Sequence, residues 1–331
     1  MQGRIDMPPS PDKGRDRGQY VSIREVGLRD GLQLISTRLD TAIKLDWIKA
    51  QAASGFAEIE VTSFVPPSIL PQFSDAADVL AGASQIDQLL PTVLVPNLKG
   101  AMLAMDAGAQ KITYVLSVSE SHNMSNVRRS TDTSLAMLHE VLEERSRRAG
   151  ITVSAALATS FGCSIEGAVS ETRVAEIAQH LANAGIDEIN LADTVGYGDP
   201  VQVKRIFKNV ASVTGDVPLA AHFHDTRGLG LANVTAAFEA GVRRFDAALG
   251  GLGGCPFAPG ASGNIATEDS VHLFRLLGVS TGVDLEKLLD VRRQLAAGCP
   301  TKNWRAVCLA PGPPTGNKAI QLRRTCPAYP T

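Results

Sequence analysis

The chain has 331 residues, of which 44% are hydrophobic and 20% charged, and its 32 basic residues nearly balance its 34 acidic ones. The hydrophobic fraction is sufficient for a large buried core, which excludes a wholly disordered chain. A formal net charge of −2 provides no basic field that would gather nucleic acid or anionic lipid. We therefore expect a globular protein whose partners include neither nucleic acid nor a membrane.

The cysteines and the first residues bear on where the protein works. The five cysteines contain no CxxC pair, which argues against a disulfide framework or a zinc cluster and favours a reducing cytoplasm. Residues 1–19 mix charges with Pro and Gly and contain no apolar run, so we predict a disordered leader rather than a signal peptide. No segment approaches the roughly 20 consecutive apolar residues of a membrane span.

From residue 20 onward, short β-branched runs alternate with longer stretches of helical periodicity. An Ala-Gly pair precedes a predicted strand four times, where glycine would supply a left-handed helix C-cap. Eight strand–helix units with short connections predict an α/β fold of the closed (β/α)8 TIM barrel type, with a doubly wound open sheet as the alternative. The predicted strands are 20–25, 56–61, 88–95, 111–118, 151–157, 187–192, 217–224 and 243–249; helical stretches include 41–54, 133–150 and 170–185.

Two further helices are predicted after the eighth strand, at 267–278 and 285–298. Residues 299–331 are rich in Pro and Gly and are predicted to form an irregular tail. Because no second core is evident, we predict one TIM-barrel domain over residues 20–298.

Polar residues at the carboxyl ends of the strands are the candidates for chemistry in such a barrel. His222 and His224 stand two apart at the end of the seventh strand, so their side chains point to the same face. With a carboxylate such as Asp30, they would form a two-His-one-carboxylate face that leaves metal positions open for substrate. In the alternative interpretation, one imidazole packs inside the barrel and the other meets solvent.

Arg29 and Asp30 follow the first strand and are flanked by Gly27 and Gly31, which would let the backbone bring both side chains over the barrel mouth. An arginine there could stabilise an enolate or a carboxylate, although an exposed salt bridge is the alternative. Glu60, at the end of the second strand, is expected to point inward and to need Arg29 as its partner.

The glycine-rich stretch 250–264 has the composition of a mobile lid that carries one thiol, Cys255. A loop thiol can be exposed and have a tuned pKa, which makes Cys255 an acid/base or redox candidate; an incidental loop cysteine is the alternative. No GxGxxG motif follows the first strand, which counts against a dinucleotide-binding fold.

Six blocks, in chain order, together resemble the family of 3-hydroxy-3-methylglutaryl-CoA (HMG-CoA) lyases. They spread over about residues 20–298, and six ordered matches are far more specific than a short motif such as HxH. The blocks are EVGLRDGLQ (25–33), IEVTSFV (59–65), PNLKG (96–100), ADTVGYG (192–198), HFHDTRGLGLAN (222–233) and GLGGCPFAPGASGNIATED (251–269).

The resemblance implies a TIM-barrel metallolyase that acts on an acyl-CoA and uses Mg²⁺ or Mn²⁺. It implies that Arg29 stabilises the enolate of the departing acetyl-CoA, with Glu60 nearby, and that Cys255 helps with proton transfer. It also implies a homo-oligomer, either a dimer or a tetramer. The implied metal ligands are Asp30, His222, His224 and Asn264, with Asp30 also catalytic; Arg29, Gln33 and Thr194 are the candidates for substrate binding.

The implied reaction is cleavage of HMG-CoA to acetyl-CoA and acetoacetate. One departure bears on the substrate: Leu34-Ile35 follows Gln33 where family members commonly carry Asn-Glu. A sister lyase that cleaves citramalyl-CoA to acetyl-CoA and pyruvate therefore remains an alternative. Related condensing synthases share the barrel and the HxH face, but the cysteine loop argues against them; a non-catalytic CoA-binding protein would need a degenerate site.

Overall fold

The computed structural model describes residues 20–35, 38–253 and 263–298. Eight parallel strands pair in chain order, and the eighth closes the barrel by pairing with the first. All eight predicted strands are confirmed, and the open sheet is excluded. The strands are β1 (Ser22–Glu25), β2 (Glu58–Ser63), β3 (Leu90–Val95), β4 (Lys111–Ser117), β5 (Thr152–Ala158), β6 (Glu188–Asp193), β7 (Leu219–Phe223) and β8 (Arg244–Ala247). The predicted leader and tail lie outside the described residues.

Helices connect the strands and surround the barrel. The helix after β8 completes the last strand–helix unit, and a final helix packs on the first one, so the two predicted C-terminal helices are present. The helices are α1 (Thr41–Ala53), α2 (Ala76–Ala83), α3 (Leu98–Asp106), α4 (Glu120–Val127), α5 (Thr131–Ser146), α6 (Glu171–Asn183), α7 (Pro200–Thr214), α8 (Gly230–Glu239), α9 (Thr267–Leu276) and α10 (Leu285–Gly298). Within the described ranges, no helix has the length and apolarity that crossing a membrane requires.

Helix α6 illustrates how the sequence specifies these elements. The side chain of Ser170 accepts a hydrogen bond from the backbone N–H of Arg173 and caps the helix start. Its buried face carries apolar residues at helical spacing, namely Val174, Ile177, Ala178 and Leu181. The helix ends before Gly185, whose φ of +82° is the left-handed conformation expected there. The other three Ala-Gly glycines also have positive φ: Gly108 (+89°), Gly150 (+78°) and Gly241 (+103°).

The barrel interior contains a network of buried charges that the sequence analysis did not anticipate. Arg24 on β1 donates to Glu58 on β2 and Glu188 on β6, and Lys111 on β4 pairs with both of these carboxylates. Buried ions of this kind are tolerated only when they are paired and hydrogen-bonded. The network lies among the strands below the barrel mouth and supports the residues described next.

Candidate functional site

The turn after β1 places Arg29 and Asp30 at the barrel mouth. Residues Gly27–Gly31 form a single wide helical turn. The expected reason for the two glycines was backbone freedom, but neither has a positive φ. The reason is space: a Cβ on Gly27 would lie 2.5 Å from Oε1 of Glu25, and one on Gly31 would lie 3.0 Å from Cβ of Leu252.

Glu25, at the end of β1, holds this turn against the two segments that follow β8. Its Oε1 accepts from the backbone N–H groups of Gly27 and Leu249, each at 2.8 Å, and its Oε2 accepts from the hydroxyl of Thr267 at 2.7 Å. Burial raises the pKa of Glu25 to about 7, although these three hydrogen bonds oppose the rise. Glu25 was not among the site residues proposed from the sequence.

Arg29 forms the ion pair with Glu60 that the sequence predicted. Its Nε lies 2.5 Å from Oε2 of Glu60, and its Nη1 lies 2.6 Å from Oδ1 of Asp30. Burial raises the pKa of Glu60 in spite of the opposing charge of Arg29. Burial also acts to raise the pKa of Asp30, but Arg29 and the two nearby histidines outweigh it and hold that pKa well below its usual range.

His222 and His224 converge on Asp30. One potential ligand atom from each of the three residues lies within 4.8 Å of the others, and Nε2 of His224 is 3.5 Å from Oδ2 of Asp30. Both imidazoles are buried. The structure therefore brings together the two-His-one-carboxylate face that strand periodicity predicted.

Asn264 completes this cluster from the segment after β8. Its Nδ2 donates to Oδ2 of Asp30 at 2.6 Å and to the carbonyl of Leu252 at 2.9 Å. Gly253 makes room for it, because a Cβ there would lie 2.5 Å from the Nδ2 of Asn264. The amide is thus held beside the carboxylate by close packing of the two ends of the glycine-rich segment.

The donor set fits a divalent cation. Both ring nitrogens of His224 and Oδ1 of Asn264 are buried and lack a hydrogen-bond partner within the described residues. Such orphaned polar atoms are costly unless something else satisfies them. Imidazole nitrogens with carboxylate and amide oxygens suit Mg²⁺, Mn²⁺ or Zn²⁺. A cation would also balance the excess of Asp30 and Glu60 over the single positive charge of Arg29.

The structure places beside the histidines two carboxylates that were not among the site residues proposed from the sequence. Asp246 on β8 accepts from Nδ1 of His222 at 3.2 Å. Asp193, at the end of β6, accepts from the backbone N–H groups of Tyr197 and Gly198, and burial raises its pKa although both histidines act to lower it. An aspartate within an apolar strand was the available signal for Asp246, since a buried carboxylate needs a partner.

The remaining predicted site residues have different environments. Gln33 is half-buried in a short helical turn, Leu32–Leu34, that follows Asp30 directly. The hydroxyl of Thr194 accepts from the backbone N–H of Thr159 at 2.8 Å, so it has a structural partner at the barrel mouth. Cys255 lies outside the described residues.

Comparisons with known proteins agree with this architecture. A family model described as HMGL-like matches residues 20–295. The chain is 39% identical to hydroxymethylglutaryl-CoA lyase of Bacillus subtilis, an alignment that covers 86% of this chain and 96% of that protein. It is 41% identical to (R)-citramalyl-CoA lyase of Chloroflexus aurantiacus, with 84% of this chain and 91% of that protein covered.

Solved structures give the same result. An HMG-CoA lyase from Acinetobacter baumannii, in complex with coenzyme A and 3-methylmalate, is 43% identical with a TM-score of 0.82, and the match covers 90% of this chain and all of that one (100%). The carboxyl transferase domain of Rhizobium etli pyruvate carboxylase, at 20% identity and a TM-score of 0.66, shares the fold alone. The resemblance found in the six sequence blocks is confirmed, and the chain belongs to the HMGL-like family.

Proposed function

We propose that this protein is a divalent-metal-dependent carbon–carbon lyase that cleaves HMG-CoA to acetyl-CoA and acetoacetate. The observation that carries the proposal is the convergence of Asp30, His222 and His224 within 4.8 Å, with Arg29 bonded to Asp30 at their side. This combination offers a cation site and an adjacent positive charge at the mouth of a barrel whose close relatives carry the names of CoA lyases.

Asp30, His222, His224 and Asn264 would hold the cation, either Mg²⁺ or Mn²⁺. When bound, it would polarise the tertiary hydroxyl of the substrate and lower the pKa of that group. Asp30 is suited to this position because Arg29 and the histidines keep it ionised. Asn264 would supply its Oδ1, since its Nδ2 is engaged with Asp30 and Leu252.

The reaction breaks the bond between the hydroxyl-bearing carbon and the methylene next to the thioester. The hydroxyl gives its proton to a base and becomes the ketone of acetoacetate, while the bonding pair passes to the thioester as an enolate. The enolate carbon then takes up one proton, so that protons balance over the whole cleavage. Arg29 would stabilise this enolate. Its Nε and Nη1 are bonded to Glu60 and Asp30. Nη2 takes part in neither ion pair and is therefore the nitrogen proposed to donate to the enolate.

The other proposed roles follow from this geometry and from the family. Glu60 would hold Arg29 in place, because its carboxylate is buried and directed at the Nε. Cys255 would help to deliver the proton that converts the enolate to acetyl-CoA. Gln33 and Thr194 would contact the substrate from the turns after β1 and β6, near the cation ligands.

Citramalyl-CoA is the second candidate substrate. It is favoured by the similarity to a citramalyl-CoA lyase at 41% identity, and apolar residues stand at positions 34 and 35. Ile35 lines a cavity of about 270 Å³ between α1 and α10 together with Leu39 and Trp47, so its apolar side chain has a packing role there and by itself favours neither substrate. The same proposal includes a homo-oligomer, a dimer or a tetramer, in the cytoplasm.

The test is an assay with Mg²⁺ in which HMG-CoA and citramalyl-CoA are offered separately and the released keto acid is identified. A higher kcat/KM for HMG-CoA, with acetoacetate as product, is the expected result. A higher value for citramalyl-CoA, with pyruvate as product, would move the substrate and keep the mechanism. A second reaction offers acetyl-CoA together with a keto acid. Release of free CoA in that reaction, with no cleavage of HMG-CoA or citramalyl-CoA, would instead indicate a condensing synthase.

A further inference from the structure

One layer of the barrel connects the charge network to the proposed cation site. The strand register places Arg24 of β1 opposite Asp246 of β8, and Asp246 opposite His222 of β7. Neighbours in register point to the same side of the sheet, so the three side chains meet inside the barrel. All three are buried.

Asp246 is bonded on both of its oxygens. Its Oδ1 accepts from Nε of Arg24 at 2.8 Å, and its Oδ2 accepts from Nδ2 of Asn190 at 2.6 Å. The same Oδ2 lies 3.2 Å from Nδ1 of His222. Two donors on separate strands, Arg24 and Asn190, therefore fix the orientation of the carboxylate that contacts the imidazole of His222.

This contact determines which nitrogen of His222 carries the proton. An ionised carboxylate only accepts hydrogen bonds, so Nδ1 of His222 must be the donor. A neutral imidazole then has its lone pair on Nε2, which is the atom needed by a metal ion. His224 differs, because its Nδ1 has no hydrogen-bond partner within the described residues.

We propose that Asp246 is a positioning residue that, held by Arg24 and Asn190, keeps His222 in the Nδ1-protonated tautomer and directs Nε2 at the cation. Carboxylates that orient metal-bound histidines in this way typically contribute 10- to 100-fold in metal affinity or activity. The inference rests on the proposed function, since it presumes a cation at Asp30, His222 and His224.

A purely structural role for Asp246 is the competing explanation, because it also neutralises buried charge. Three cations and three carboxylates balance in the network: Arg24, Lys111 and Arg244 against Glu58, Glu188 and Asp246. Glu58 provides a matched control. Like Asp246 it bonds to Arg24, but within the described structure its other polar partners are Lys111 and Thr92, and it makes no hydrogen bond or ion pair with His222.

The experiment compares Asp246→Asn with Glu58→Gln in the full-length protein. Both substitutions remove one negative charge from the same network and keep the side-chain shape. Mn²⁺ binding is measured by the loss of the electron paramagnetic resonance signal of the free ion. We expect Asp246→Asn to raise the Kd for Mn²⁺ roughly 10- to 100-fold and Glu58→Gln to change it much less. An equal change in both variants, or no change in either, would overturn the inference.

A measurement on the unmodified protein covers the case in which Asp246→Asn does not fold. The tautomer of His222 is read from ¹⁵N chemical shifts of the metal-free, histidine-labelled protein, with His222→Gln assigning the signal. A proton on Nδ1 is expected, and a proton on Nε2 would refute the inference. If His222→Gln leaves Mn²⁺ affinity unchanged, the proposed cation site itself is wrong. If His222→Gln lowers the Mn²⁺ affinity and Asp246→Asn does not, the cation site is supported and the positioning role of Asp246 is wrong.

Discussion

Arg29 and Glu60 form a buried ion pair in which the Nε of Arg29 lies 2.5 Å from the Oε2 of Glu60. Arg29 lies in the turn after β1 and Glu60 lies within the neighbouring strand β2, and Asp30 holds a second nitrogen of the same guanidinium at 2.6 Å. Because two ion pairs already fix the orientation of this guanidinium, it needs little reorganisation when negative charge develops beside it in the transition state. This preorganisation is the physical basis for proposing that Arg29 stabilises the enolate.

Arg29→Gln should lower kcat by roughly 10²- to 10³-fold at saturating Mg²⁺, because the variant loses a charge that acts mainly on the transition state. KM for HMG-CoA should change only a few-fold. Steady-state kinetics with the wild type and the variant provide the measurement.

Arg147 offers a control for a general effect of lost positive charge, because it is exposed and lies at the end of α5. Arg147→Gln is expected to leave kcat unchanged. If Arg29→Gln raised KM as much as it lowered kcat, the arginine would be a substrate-binding residue and the enolate role would be wrong.

Much of this site could be predicted from local patterns. The alternation of side chains along a strand placed His222 and His224 on one face. The expected end of the second strand near Glu60 suggested Arg29 as its partner; the pair is present, although β2 continues beyond Glu60 to Ser63. Asp246 could not be assigned in this way, because its contact with His222 depends on the register between β7 and β8. Register is a property of the closed barrel and leaves no trace in the periodicity of either strand.

In the fold too, features set by local sequence could be predicted and features set by tertiary contacts could not. The local periodicity of strands and helices, with the glycine C-caps, predicted the barrel. The charge network joins residues as far apart in sequence as Arg24 and Asp246, and nothing in the local sequence indicates which cation meets which carboxylate. Gly27 and Gly31 were recognised as special positions, but their close neighbours are tertiary, so the reason for them came only from the structure.

Gly253→Ala should weaken binding of the cation. The added Cβ would lie 2.5 Å from the Nδ2 of Asn264, and the φ of +124° is unfavourable for alanine. Asn264 must then move away from Asp30, which removes one proposed ligand. We expect the Kd for Mn²⁺ to rise about ten-fold or more, as judged by isothermal titration calorimetry.

Gly108→Ala separates backbone strain from the clash. Gly108 has a comparable positive φ of +89°, but a Cβ there meets nothing within 4 Å, and it lies in the connection between α3 and β4. This variant should lose some thermal stability and keep the wild-type affinity for Mn²⁺. Equal losses of metal affinity in both variants would show that backbone strain, and not the displacement of Asn264, causes the effect. Unchanged affinity in Gly253→Ala would contradict the ligand role of Asn264.

Cys255→Ser should slow turnover without unfolding the protein, because a serine hydroxyl has nearly the size of the thiol but is a far weaker acid. We expect a loss of roughly 10²-fold in kcat, in the range usual for a group that transfers a proton. Far-UV circular dichroism and the Tm should match the wild type. An unchanged kcat would make Cys255 incidental to the reaction.

Glu25→Gln should change how stability depends on pH. Burial raises the pKa of Glu25 from 4.5 to about 7, so the folded protein holds a proton that the unfolded chain releases at lower pH. The free energy of unfolding should therefore fall by on the order of 3 kcal/mol as the pH rises from about 4.5 to 7, and stay level beyond. Glutamine cannot ionise and can still bond Thr267, so the variant should lack this decline. Urea unfolding at pH 5 and pH 8 measures the difference in the free energy of unfolding. The exposed Glu143→Gln is the control and should keep the wild-type pH profile. Parallel pH profiles for Glu25→Gln and the wild type would show that Glu25 is already ionised at pH 5.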